Sequence, residues 1–141
     1  MPYREKVAWL SLLAMATVFV PYFTLARLQP PADVLPNLDQ MTRYAVTCAA
    51  WLAILGVGHL LLRRSAPDEA RLPMDERDTA IAHLARTRSY GVLVAGMILV
   101  GCVMPFTASG WKIVNAAILM IVLAEAAFDS SVILSYRRQR G

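Results

Sequence analysis

Two carboxylic acids, Glu125 and Asp129, interrupt a long apolar stretch near the end of the sequence. Because they are four residues apart, a helix would place both side chains on one face. Acids in an apolar helix of this kind bind protons or cations, or they are protonated and donate hydrogen bonds to neighbouring helices. The pair is therefore the sharpest candidate for chemistry in this sequence.

A polar stripe on the same helical face adds Asn115 to the two acids. His59, in a separate apolar stretch, is predicted to lie at nearly the same depth as Asp129. We expect the stripe to face protein, because a polar side chain exposed to lipid is costly. We also expect at least one acid to be protonated, because two carboxylates one turn apart repel each other in a low dielectric. The candidate intramembrane polar site comprises Glu125, Asp129, Asn115 and His59.

This polar site admits two interpretations. In the first, the acids hold a proton or a cation in a transport or channel function. In the second, protonated acids donate hydrogen bonds to backbone groups or to His59 and so fix the packing of the helices. We favour the packing network, because nothing else in the sequence resembles a transport motif.

A second charged group, Asp75-Glu76-Arg77-Asp78, follows Pro73 and is typical of a helix start. Asp75 can cap the helix, and acids in the first turn stabilise its positive end. The four residues are also candidates for contact with a protein partner. A metal site is not indicated, because no further ligand lies nearby in the sequence.

The composition excludes an ordinary soluble domain. Of 141 residues, 57% are hydrophobic and 17% are charged, with a mean hydropathy of +0.49, whereas soluble domains carry about 25% charged residues. The chain has two cysteines and no nucleotide-binding, hydrolase, metalloprotease or nucleic-acid-binding motif. We therefore expect a membrane protein with no catalytic residues, no cofactor, no metal and no nucleic-acid partner.

Four stretches are long and apolar enough to cross a bilayer, which needs about 20 residues per helix. They cover residues 7–26, 44–62, 89–107 and 113–136, with a polar loop at 63–88. Nothing breaks the helical pattern between Asp75 and the membrane, so one helix is predicted from Asp75 to Thr107, and the third span extends out of the membrane into the cytoplasm. The fold class is an all-α, integral membrane four-helix bundle, with residues 1–141 as a single domain.

The distribution of basic residues predicts the orientation. Eleven Lys and Arg residues lie on the side of the two termini and the 63–88 loop, and three lie on the other side. The positive-inside rule then places both termini in the cytoplasm. An even number of spans agrees with this arrangement.

The connection between the third and fourth spans, residues 108–112, is short enough to make those helices antiparallel neighbours. The second and third spans carry Cys48 and Cys102 near their outer ends. We expect these two spans to be neighbours as well, with the two thiols close together but not joined in a disulfide bond.

Three segments carry a resemblance to a known family: Tyr3-Arg4-Glu5-Lys6-Val7-Ala8-Trp9-Leu10, Asp75-Glu76-Arg77-Asp78 and Tyr136-Arg137-Arg138. With them the chain resembles a group of small bacterial inner-membrane proteins that have four spans and a cytoplasmic motif of the DERD type. The resemblance implies a location in the bacterial inner membrane. It implies no activity and no catalytic residue.

The sequence thus predicts a non-enzymatic, multi-pass inner-membrane protein with an interaction or regulatory role, exerted through its cytoplasmic loop and tail. Its expected surroundings are the lipid bilayer and a protein partner or a second copy of the chain. The alternative is a small proton- or cation-linked transporter or channel subunit that uses the acidic stripe of the fourth span.

Overall fold

The computed structural model describes residues 2–32, 36–108 and 110–138. These residues form five α-helices and contain no β-strand, which confirms the all-α prediction. The helices are α1 (Tyr3–Leu28), α2 (Leu38–Ser65), α3 (Pro67–Arg71), α4 (Glu76–Ile98) and α5 (Trp111–Arg138).

Within the described part of the chain, four helices are long and apolar enough to cross a membrane: α1, α2, α5, and α4 together with its continuation to Phe106. Each predicted span falls within one of them, apart from the last residue of the third. The helices extend by several residues beyond most of the predicted spans, because hydropathy marks only the apolar part of a helix and misses polar terminal turns. The four apolar helices indicate a multi-pass membrane protein.

The third span begins as its sequence predicts and ends less regularly. The Asp75 side chain caps α4 by accepting a hydrogen bond from the Asp78 backbone N–H at 2.6 Å. After Ile98 the chain continues as a π-helical turn, Leu99–Val103, and a 3-10 turn, Met104–Phe106. Pro105 accounts for the change, because proline has no N–H to donate and its ring clashes with the preceding helical turn.

The four long helices are arranged in the order α2, α1, α5 and α4, with α1 and α5 in the middle. α4 packs on α5, as their short connection predicts. α2 packs on α1, makes at most marginal contact with α4, and buries only Gln40. The expectation that the second and third spans are neighbours is therefore wrong, because α1 and α5 pack between them. Cys48 and Cys102 are both free.

Two glycines permit the closest helix approaches. A Cβ atom added to Gly58 of α2 would lie 2.5 Å from the Cδ1 atom of Leu10 in α1. One added to Gly96 of α4 would lie 2.6 Å from the sulfur of Met120 in α5. Small residues at such positions let helix backbones approach within a membrane.

The α4–α5 contact is testable by disulfide formation. A Cβ atom at position 96 would lie 2.9 Å from that of Met120, close to the ~3.5–4.5 Å found in disulfides. In a background with Cys48→Ser and Cys102→Ser, Gly96→Cys with Met120→Cys should cross-link on mild oxidation, as mass spectrometry of the digested protein would detect. The unaltered chain, as the control, should form no bond between Cys48 and Cys102; the reverse pattern would contradict this helix order.

Candidate functional site

Asp78 joins three helices at one end of the bundle. At this end α1 begins, α5 ends, and α2 is connected through α3 to α4. This end is called the basic end below. One oxygen of the Asp78 carboxylate accepts a hydrogen bond from Nε of Arg4 in α1 at 2.8 Å. The other accepts a hydrogen bond from the hydroxyl of Tyr136 in α5. Arg4, Asp78 and Tyr136 are named the Asp78 cluster.

Further charged contacts surround the Asp78 cluster. Glu5 is 2% exposed, and its carboxylate lies 4.0 Å from Nε of Arg137. The Arg137 guanidinium lies 5.3 Å from the centre of the Trp9 ring, a cation–π contact. Lys6 lies 3.7 Å from Glu69 of α3. The basic end is therefore held by contacts between helices that are distant in sequence.

The structure divides the predicted partner motif into different roles. Asp75 caps α4, and Asp78 is engaged with Arg4 and Tyr136. Glu76 and Arg77 are exposed, and the Arg77 guanidinium lies 5.9 Å from the centre of the Tyr136 ring. The three sequence segments that carry the family resemblance thus meet at the basic end.

A cavity of about 260 Å³ lies between the spans next to the Asp78 cluster. All four long helices contribute to its wall, which is largely apolar. The polar side chains in the wall are Tyr3, Arg4, His59, Asp78, Asp129 and Tyr136. We call it the basic-end cavity. It brings Asp129 and His59 together, as two members of the predicted polar site.

Asp129 is buried in the wall of this cavity without full hydrogen bonding. The residue is 4% exposed, and the Ser11 hydroxyl of α1 lies near its carboxyl group. The second oxygen, Oδ2, is buried and has no hydrogen-bond partner in the described part of the chain. A buried polar atom without a hydrogen-bond partner lowers the stability of the fold, and such atoms are rare in native proteins.

His59 of α2, an exposed residue, also lines this cavity. Its Nδ1 lies 3.1 Å from the backbone carbonyl oxygen of Leu55, one turn earlier in α2. A carbonyl oxygen only accepts hydrogen bonds, so Nδ1 must carry the proton in this contact. In the neutral imidazole, Nε2 is then an acceptor.

Glu125 lies one turn from Asp129 on α5 but outside the basic-end cavity. Helical spacing places it on the same face as Asp129 and Val132, yet its side chain is exposed. The prediction that the whole stripe faces protein is therefore wrong for Glu125. The physical reason is that no helix of the described residues covers the Glu125 side chain, whereas Asp129, one turn later, is buried.

Asn115 belongs to a separate polar cluster at the opposite end of the bundle. Its side-chain oxygen accepts a hydrogen bond from the Tyr22 hydroxyl at 2.7 Å and one from the Gln40 amide at 3.4 Å. The same Gln40 amide donates to the Tyr22 hydroxyl at 3.0 Å. Asn115 thus lies apart from Asp129, and its hydrogen bonds join α5 to α1 and α2. Sequence analysis missed Gln40 because it lies just before the apolar part of α2.

Metal chemistry has no support in the described residues, which contain no group of three His, Cys, Asp or Glu side chains able to hold a metal ion. Comparisons with protein-family models, with curated proteins and with solved structures found no match to this chain. The resemblance to the four-span bacterial proteins stays a prediction.

Proposed function

We propose that this chain is a non-enzymatic multi-pass membrane protein with an interaction or regulatory role, and that it acts through its basic end. The observation that carries the proposal is the Asp78 cluster, which links the first turns of α4 to α1 and α5. A helix start fixed in this way can present a defined surface to another protein, because little conformational freedom is lost on binding.

The surface next to the cluster has the chemistry of a protein contact. It is a shallow depression on the first turns of α4, lined by Met74, Asp75, Glu76, Thr79, Ala80 and His83. All of these residues are exposed, and Met74 has 51% of its surface exposed. Acids beside an apolar side chain suit a partner that offers basic and apolar groups. We call this surface the α4 face.

The proposal places the basic end on the cytoplasmic side of a bacterial inner membrane. Support comes from the eleven basic residues of this side against three on the other. Reporter proteins fused after Arg64 and after Gly141 should both report the cytoplasm. A reporter inserted within residues 30–36 should report the outside, and a C-terminus outside the cytoplasm would contradict the proposal.

Partner contact can be tested by photo-cross-linking the full-length protein in bacterial cells. A photoreactive amino acid replacing Glu76 should give one discrete adduct, because Glu76 lies on the α4 face. Asp78→Asn in the same chain should reduce that adduct at least severalfold, since it weakens the contact that fixes the face. The matched control carries the photoreactive residue at Asp39, which is exposed at the opposite end.

The same adduct from position 39 would contradict the proposal, as would an adduct from position 76 that Asp78→Asn leaves unchanged. Identification of the cross-linked chain by mass spectrometry distinguishes a cytoplasmic protein from a membrane subunit or a second copy.

A proton- or cation-linked transporter or channel subunit is the second candidate. It is favoured by one observation, the unpartnered oxygen of Asp129 beside the basic-end cavity. In liposomes, a flux driven by a pH gradient and abolished by Asp129→Asn would favour this candidate over the first.

A further inference from the structure

We infer that the basic-end cavity binds an organic ammonium ion, that is, a protonated primary or secondary amine carried on a small apolar body. The inference uses the walls of the cavity alone and does not rest on the α4 face or on a transport function.

The charges in the cavity wall leave one carboxyl group without a counter-charge. Arg4 and Asp78 form an ion pair at 2.8 Å, so their charges offset each other. The remaining acid in the wall is Asp129, which is buried. A buried carboxylate without a counter-ion is strongly disfavoured, and a bound monovalent cation would supply the missing charge.

The hydrogen-bonding groups in the cavity wall favour a ligand that donates hydrogen bonds. Both oxygens of Asp78 already accept hydrogen bonds, from Arg4 and from Tyr136. Oδ2 of Asp129 is an acceptor without a partner in the described residues, and Nε2 of His59 is a second acceptor in the tautomer in which Nδ1 donates to Leu55. Rotation about the last torsion of Asp129 is soft, so either oxygen can turn towards the cavity. An ammonium N–H group matches these acceptors.

The size of the cavity and its apolar walls do not match a small inorganic cation. Inorganic cations such as Mg²⁺ and Ca²⁺ need several oxygen ligands, and among the described wall residues Asp129 is the single acid that has an oxygen without a hydrogen-bond partner. A volume of about 260 Å³ lined by groups such as Phe128 and Val132 has room for an apolar body. The wall also contains the aromatic residues Tyr3 and Phe128, and aromatic rings attract cations.

A direct binding measurement tests the inference on the full-length protein in nanodiscs of zwitterionic lipid. The probe is 2-phenylethylammonium, and its neutral counterpart of similar shape is 2-phenylethanol. Calorimetric titration, corrected with empty nanodiscs, should give saturable binding of the ammonium ion. The neutral alcohol should bind about tenfold more weakly or worse, because it lacks the charge that pairs with Asp129.

Two matched variants assign the binding to the cavity. Asp129→Asn keeps the shape of the side chain and should weaken ammonium binding about tenfold or more. Glu125→Gln removes an exposed acid one turn away, outside the cavity, and should leave the affinity within about twofold.

Failure of the ammonium ion to bind saturably would overturn the inference, as would equal affinities for the two probes on the unaltered protein. Equal effects of Asp129→Asn and Glu125→Gln would overturn it as well. The two-probe comparison needs no variant, so it decides the question even if Asp129→Asn does not fold. None of these outcomes changes the cross-linking expected at Glu76.

Discussion

Replacing Asp78 with alanine is expected to lower the free energy of unfolding by about 2 to 3 kcal/mol. The carboxylate accepts hydrogen bonds from Arg4 and Tyr136, and each hydrogen bond to a charged group contributes about 1.5 to 3 kcal/mol. The expected loss stays below their sum because the Arg4 and Asp78 side chains are 33% and 19% exposed to water. SDS titration of the protein in mixed micelles would measure the change.

The neighbouring Lys6–Glu69 pair is the matched control. Its charged atoms are 3.7 Å apart, and the two side chains are 34% and 50% exposed. Glu69→Ala should therefore change the free energy of unfolding by at most about 1 kcal/mol. Tyr136→Phe should be destabilising in the unaltered protein and nearly neutral in the Asp78→Ala background. Equal losses for Asp78→Ala and Glu69→Ala would show that the Asp78 cluster does not fix the basic end.

The four long helices and the start of α4 were predictable from the sequence because both depend on local composition. Runs of apolar residues mark the spans, and an acid followed by further acids marks a helix start. The capping of α4 by Asp75 and the contact of α4 with α5 follow from such local signals. No signal of this kind specifies the partners of Asp78, because Arg4 and Tyr136 are 74 and 58 residues away in the chain.

The order of the helices could not be predicted from the sequence, because apolar surfaces that face lipid and apolar surfaces that face protein have similar composition. In a bilayer, helix association depends on shape and small residues more than on hydrophobicity. α2 is apolar along most of its length, yet it buries only Gln40. Nothing in its sequence indicates that α1 is its main neighbour.

The burial of single residues in the predicted polar site could likewise not be predicted from the sequence. The spacing of Glu125 and Asp129 correctly places both on one helical face, but only the packing of other helices decides which part of that face is covered. In the structure Asp129 is buried and Glu125 is exposed. Glu125→Leu is therefore not expected to remove a hydrogen bond between helices, since the described residues provide no such bond.

Replacing Asp129 with leucine is expected to raise the free energy of unfolding by about 1 to 3 kcal/mol. Its buried Oδ2 has no partner in the described residues, and a buried polar atom in this state costs about that much. Leucine removes the cost, and its larger side chain can extend into the adjacent cavity. Unfolding in mixed micelles would measure the gain, with no ligand present.

Ser11 supplies the control for this expected gain. Its hydroxyl lies near the Asp129 carboxyl, so Ser11→Ala should destabilise the unaltered protein more than the Asp129→Leu background. A large loss of stability in Asp129→Leu would mean that the acid is a packing group after all. A gain, together with lost binding of 2-phenylethylammonium, would mean that Asp129 carries a stability cost in order to bind, as functional residues often do.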